Sequence, residues 1–182
     1  MQDSTRCETT TIQLDDCNIF VENAYEEPVL FDYQTIIKKA ISELLITLKC
    51  PKAEKFEFSM KLSNNEEVHE LNKQYRGKDY PTNVLSFEED LEDDIFSGLE
   101  DEDEFTYIGD IIFAIPVLYK QAEEQDKSVQ DHFTHLVVHS VLHIFGFDHI
   151  DDKEAEVMEA LEIKVLKRLE IKNPYLEKPT KG

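Results

Sequence analysis

Nothing in this sequence stays apolar for the roughly 20 consecutive residues that a bilayer-spanning helix needs, so no membrane span and no membrane partner are expected. The opening MQDSTRCETT has neither a basic start nor an apolar stretch, and no secretory signal is expected from it. Cysteine is scarce. Cys7, Cys17 and Cys50 are odd in number and unpatterned, which reads as free thiols in a reducing compartment and makes a cytoplasmic location the expectation. Positive charge is scarce as well: 19 Lys and Arg stand against 40 Asp and Glu, for a net charge of −21. That balance excludes broad, nonspecific nucleic-acid binding through a basic surface.

What is present fits one domain. A chain of 182 residues can bury about 70% of the surface exposed when unfolded, so it needs neither disulfide nor structural metal to fold. A metal site here would therefore be functional. The acid is concentrated in EEDLEDDIFSGLEDEDE, Glu88 to Glu104, which contains no Lys or Arg. Such a run reads as a solvated insertion loop, taken as 88–105. It lacks the spacing of a calcium loop.

Around that insertion, the pattern predicts an α+β fold: a single domain with one mixed sheet of about four strands and packed helices. Strands are expected at Thr10–Phe20, Phe56–Leu62, Val84–Phe87 and Tyr107–Ile115. Ile36, Ile37, Ala40, Ile41, Leu44, Leu45 and Leu48 recur at helical spacing, predicting a helix over 31–48 with one buried face. Ser63 with Glu66 reads as a capping box for a short helix through Tyr75. Ser128 can cap a helix that Gly146 stops near Phe145, and Asp151 and Asp152 can open a last amphipathic helix. Residues 1–9 are expected to be loose, 10–172 to form the metallohydrolase domain, and 173–182 to be a polar tail.

The chemistry is concentrated on the helix after Ser128. His132, His135, His139 and His143 sit at offsets of three and four, which places them on one stripe. From His139 to His149 the chain reads HSVLHIFGFDH. Two imidazoles one turn apart lie about 6 Å apart along the axis, close enough to converge on one cation. Gly146 permits the reversal that brings a third round to it. Three nitrogens with an open fourth position suit catalytic zinc, so His139, His143 and His149 are the expected ligands of one Zn2+. Nickel, cobalt or copper would also accept them. His135 with His139 is an alternative pair, His135 otherwise serving as a supporting or substrate contact. Met158 lies in an amphipathic helix pattern and reads as core.

The spacing equals that of metzincin proteases, but Ser140 stands where their glutamate base belongs. Serine has no useful pKa for that task near neutrality, which weighs against peptide hydrolysis. Phosphodiester cleavage tolerates the loss, given a metal and a cation to stabilise developing charge. Such a cation occurs in LNKQYRGKDYPTNVLSF, Leu71 to Phe87, where Arg76 and Lys78 flank a turn favoured by Gly77 and Pro81.

These two motifs, with the strand Tyr107-Ile-Gly-Asp-Ile111, resemble those of the YbeY family of single-strand-specific metallo-endoribonucleases over roughly residues 10–172. The resemblance implies a zinc-binding α+β fold, hydrolysis of single-stranded RNA, maturation of the 16S rRNA 3′ end and ribosome quality control. It implies His139, His143 and His149 as ligands, Arg76 as a functional arginine, and Ser140 as a variant the family permits. The general base is left open: a metal-bound hydroxide, or a water ordered by Ser140 or Asp148, would each fit. A zincin-type metallopeptidase and a ribosome assembly factor with little catalysis of its own are the alternative functions. The acidity departs from what an RNA enzyme suggests, and docking through basic ribosomal proteins would make use of it.

Overall fold

The computed structural model describes residues 7–49, 55–89, 105–147 and 150–175. The first expected strand proves to be a hairpin, β1 (Glu8–Leu14) and β2 (Cys17–Asn23), paired antiparallel from Glu8↔Asn23 to Leu14↔Cys17. Asp15 and Asp16 make the turn, as residues that tolerate tight-turn backbone do. The rough alternation across Thr10–Phe20 conceals that reversal. The sheet consequently has five strands instead of four, ordered β1-β2-β3-β5-β4. The others are β3 (Phe56–Ser63), β4 (Val84–Glu88) and β5 (Thr106–Ala114). β2, β3 and β5 run parallel, while β4 pairs antiparallel with β5, so the sheet is mixed.

Helices α1 (Tyr33–Leu48) and α2 (Asn65–Arg76) begin on side-chain caps. The cap of α2 is Asn64, one residue beyond the expected Ser63, because the Asn64 carboxamide accepts from the Glu67 amide N–H. Helix α3 (Ile115–Glu124) has no counterpart in the sequence reading. It continues directly from β5 without a loop, so no turn residue marks it, although Pro116 in its first turn is a helix-start signal. Helix α4 (Val129–Ile144) is capped by Ser128, whose hydroxyl accepts from the Asp131 N–H, and Gly146 at φ 99° follows its end as expected. Asp151 caps α5 (Asp152–Arg168) in the same way.

Alternate residues of β5 face opposite ways. Ile111 and Phe113 join Phe58, Met60 and Leu62 of β3 against α1, α4 and α5, and Met158 is fully part of that core. Ile112 and Ala114 face the other side and pack with Leu85 beneath Val68 of α2. In the Gly-Asp-Ile stretch of β5, a Cβ added at Gly109 would lie 2.5 Å from the Phe87 carbonyl oxygen. The absence of a side chain there lets β4 lie close, which places the β4 edge beside α4.

Candidate metal centre and its cleft

Helix α4 is mostly buried, but its histidine stripe opens onto one cleft of about 690 Å3. His132, His135, His139 and His143 all line it. The His139 and His143 rings lie 4.7 Å apart between centroids, and His135 and His139 lie 6.1 Å apart. Helical spacing alone brings these three together. His149 and Asp148, the remaining expected ligand and its neighbour, fall outside the described residues.

Behind the stripe stands a residue that the sequence reading missed. Glu162 of α5 is fully buried. His139 donates from Nδ1 to one carboxylate oxygen, and the Tyr175 hydroxyl donates to the other. His135 Nε2 lies 3.8 Å from that second oxygen. Burial alone would push this carboxyl up, but the nearby His135 imidazole and the hydrogen bonds from His139 and Tyr175 outweigh it and hold its pKa at about 2. Glu162 is therefore ionised at neutral pH and can only accept. Nδ1 of His139 must then carry the proton, and the ring nitrogen that presents a lone pair is Nε2. Burial, and next the bond to Glu162, push the Tyr175 phenol up, so it stays protonated as a donor.

A carboxylate that orients a histidine through its second nitrogen is how metal-ligating imidazoles are commonly held, so the donor set suits a transition-metal ion. His135, His139 and Glu162 have potential ligand atoms within 4.8 Å of one another and could themselves hold an ion. For Glu162 this would mean giving up hydrogen bonds that already occupy both oxygens. The signal for Glu162 in the sequence is weak: an acid on the otherwise apolar face of α5, next to Leu161 and Ile163. Tyr175, in the stretch expected to be a polar tail, carries no such signal.

Arg76 ends α2 and lines the same cleft. Its Nη2 donates to the Ser86 carbonyl oxygen at 2.8 Å, and its guanidinium carbon lies 5.5 Å from the Phe87 ring centroid. The fork is thus held by a hydrogen bond and a cation–π contact. The turn behind it is anchored too, since Asn72 donates to the Tyr80 carbonyl and Asp79 bonds His69 at 2.7 Å. Ser140 is not brought to the cleft. It is fully buried, and its hydroxyl donates to the Val137 carbonyl within α4. Among the described lining residues, Arg76, Lys78 and Lys127 face a single acid, Glu88. In a chain with twice as many acids as bases, that is a local reversal of charge.

An α+β domain with a histidine-lined cleft, a buried orienting carboxylate and an anchored arginine is the class these features define. Residues 20–170 match the family model described as Endoribonuclease YbeY. The chain belongs to the YbeY family. It is 50% identical over 122 residues to Endoribonuclease YbeY of Colwellia psychrerythraea, covering 67% of this chain and 74% of that relative. It is 39% identical over 166 residues to Endoribonuclease YbeY of Francisella tularensis, covering 91% and 94%. The solution structure of TM1509 from Thermotoga maritima aligns with a TM-score of 0.48 at 23% identity, covering 84% of this chain and 95% of that one. No helix among the described residues is long and apolar enough to cross a membrane.

Proposed function

We propose that this protein is a metal-dependent, single-strand-specific endoribonuclease that matures the 3′ end of 16S rRNA and takes part in ribosome quality control in the cytoplasm. The observation that carries this reading is the convergence of Arg76, His139 and His143 on one cleft whose lining is basic in an otherwise acidic chain. Family membership supports it. His139, His143 and His149 would hold the ion, zinc by the donor chemistry. When bound, such an ion supplies Lewis-acid polarisation of a phosphoryl oxygen. Glu162 keeps the His139 ring in the tautomer and orientation that presents Nε2. Arg76 binds a phosphate oxygen with a fork already held in place, so little is lost in ordering it. Ribosomal particles, through their proteins, would deliver a single strand to this cleft. The cleft supports this substrate more than it supports a peptide, because the buried Ser140 leaves no base at the position where the related proteases place one.

Metal-loaded protein should cut a single-stranded RNA, spare the same sequence in a duplex, and lose activity on chelation. Equal cutting of both substrates, or full activity after the metal is stripped, would defeat the proposal. Glu162→Gln should keep its helical circular dichroism but bind zinc about 10–100-fold more weakly, as loss of an orienting partner does. Competition against a colorimetric chelator measures this, and an unchanged affinity would remove the orienting role.

A further inference from the structure

The cleft is longer than the site already described. The histidine stripe runs from His143 past His139 to His132, and the seven positions from His132 to His139 span about 10 Å along the helix axis. That is about three steps of a stacked strand at about 3.4 Å each, or fewer of an extended one. At the His132 end there is neither an arginine fork nor an imidazole pair for phosphate or metal. There is instead a network of two amides and an imidazole, drawn from α3, α4 and the loop before β4.

Gln121 of α3 is at its centre. Its Oε1 accepts from Asn83 Nδ2 at 2.9 Å and from His132 Nε2 at 2.9 Å. Asn83 is tied in turn to the sheet, since its carbonyl accepts from the Ala114 N–H. The two donors fix which way the Gln121 amide faces. With its oxygen committed twice, the polar group Gln121 can offer a ligand is its N–H pair, while Asn83 offers its Oδ1. Among the described residues neither group has a hydrogen-bond partner. His132 is 4% exposed, and its Nδ1 is buried without a partner. Such a network, oriented from behind and left incomplete toward a cleft, is built to receive a polar ligand. A donor beside an acceptor matches the hydrogen-bonding edge of a base, and bases of single-stranded RNA are free to be read on that edge.

We infer that Gln121 and Asn83, backed by His132, form a nucleobase-reading subsite one to three nucleotides from the scissile phosphate. The inference rests on the endoribonuclease reading above. It gives the cleft a specificity element that neither the metal site nor Arg76 supplies, because contacts to phosphate carry no sequence information.

The test is to digest a random single-stranded RNA pool with the metal-loaded full chain and sequence the new ends. One offset within three nucleotides of the cut should show a preference of about tenfold for one base, the discrimination a good pair of hydrogen bonds supplies. Gln121→Leu should flatten that preference. Gln121→Glu keeps an acceptor for Asn83 and His132 but turns the offered donor into an acceptor. It should shift the preference toward guanine, whose edge carries two adjacent donors. Melting curves report whether either variant is folded, and the glutamate variant retains the network if the leucine variant does not. Cleavage without base preference at any offset overturns the subsite alone, as does a preference that survives both substitutions. A protein that cuts no RNA at all overturns the endoribonuclease reading, and the subsite with it.

Discussion

His143→Ala protein should fold, fail to retain metal and lose RNA cleavage together. The loss of affinity should exceed the roughly 10–100-fold that removal of an orienting partner costs, because a donor atom itself disappears. Folding should survive because His143 is only partly buried and lies at the C-terminal end of α4, while Val141, Leu142 and Ile144 beside it carry the core packing. Elemental analysis of the purified protein, read beside circular dichroism, checks the first half, and the RNA assay checks the second. A folded His143→Ala protein with a full equivalent of metal would mean that the ion sits elsewhere. The group formed by His135, His139 and Glu162 would then be its place.

Arg76→Ala separates binding from chemistry. The variant should keep its metal and its fold yet cut RNA about 10²–10³-fold more slowly, the usual loss when one donor to developing charge is removed. Arg76 is exposed at the end of α2, so its removal opens no cavity in the core. What it loses is the fork that Ser86 and Phe87 hold in the cleft. Arg76→Lys sharpens the test. A lysine retains the charge but cannot satisfy the Ser86 carbonyl and present a planar pair of N–H groups to phosphate at once. It should recover only a small part of the rate. Full recovery with lysine would reduce the role to charge alone, and undiminished cleavage by Arg76→Ala would end the phosphate-binding role.

The parts of this molecule legible in advance are those that local chemistry sets. Ser128, Asp151 and Gly146 mark the ends of α4 and α5 because a capping side chain or a positive φ acts within a few residues. The histidine stripe follows from helical spacing once α4 is recognised. The errors are local signals read too coarsely: an Asp-Asp turn inside an alternating stretch, a cap displaced by one residue, and a helix that leaves a strand with no loop between them.

The site divides along the same line. Sequence by itself indicated the family and the α+β class, and it set His139 and His143 one helical turn apart with Arg76 in a second motif, because spacing within a short run carries that much. Only the tertiary structure decided what holds them. Glu162 meets His139 across 23 positions, and Tyr175 meets His135 across 40. Gln121 of α3, His132 of α4 and Asn83 from the loop before β4 form one network. Those meetings depend on how α5 packs on α4 and how β4 lies along the sheet, and no backbone periodicity encodes them. The stripe of four histidines was visible as a pattern, but the buried carboxylate that assigns a proton to one of its nitrogens became apparent only when distant segments were packed together.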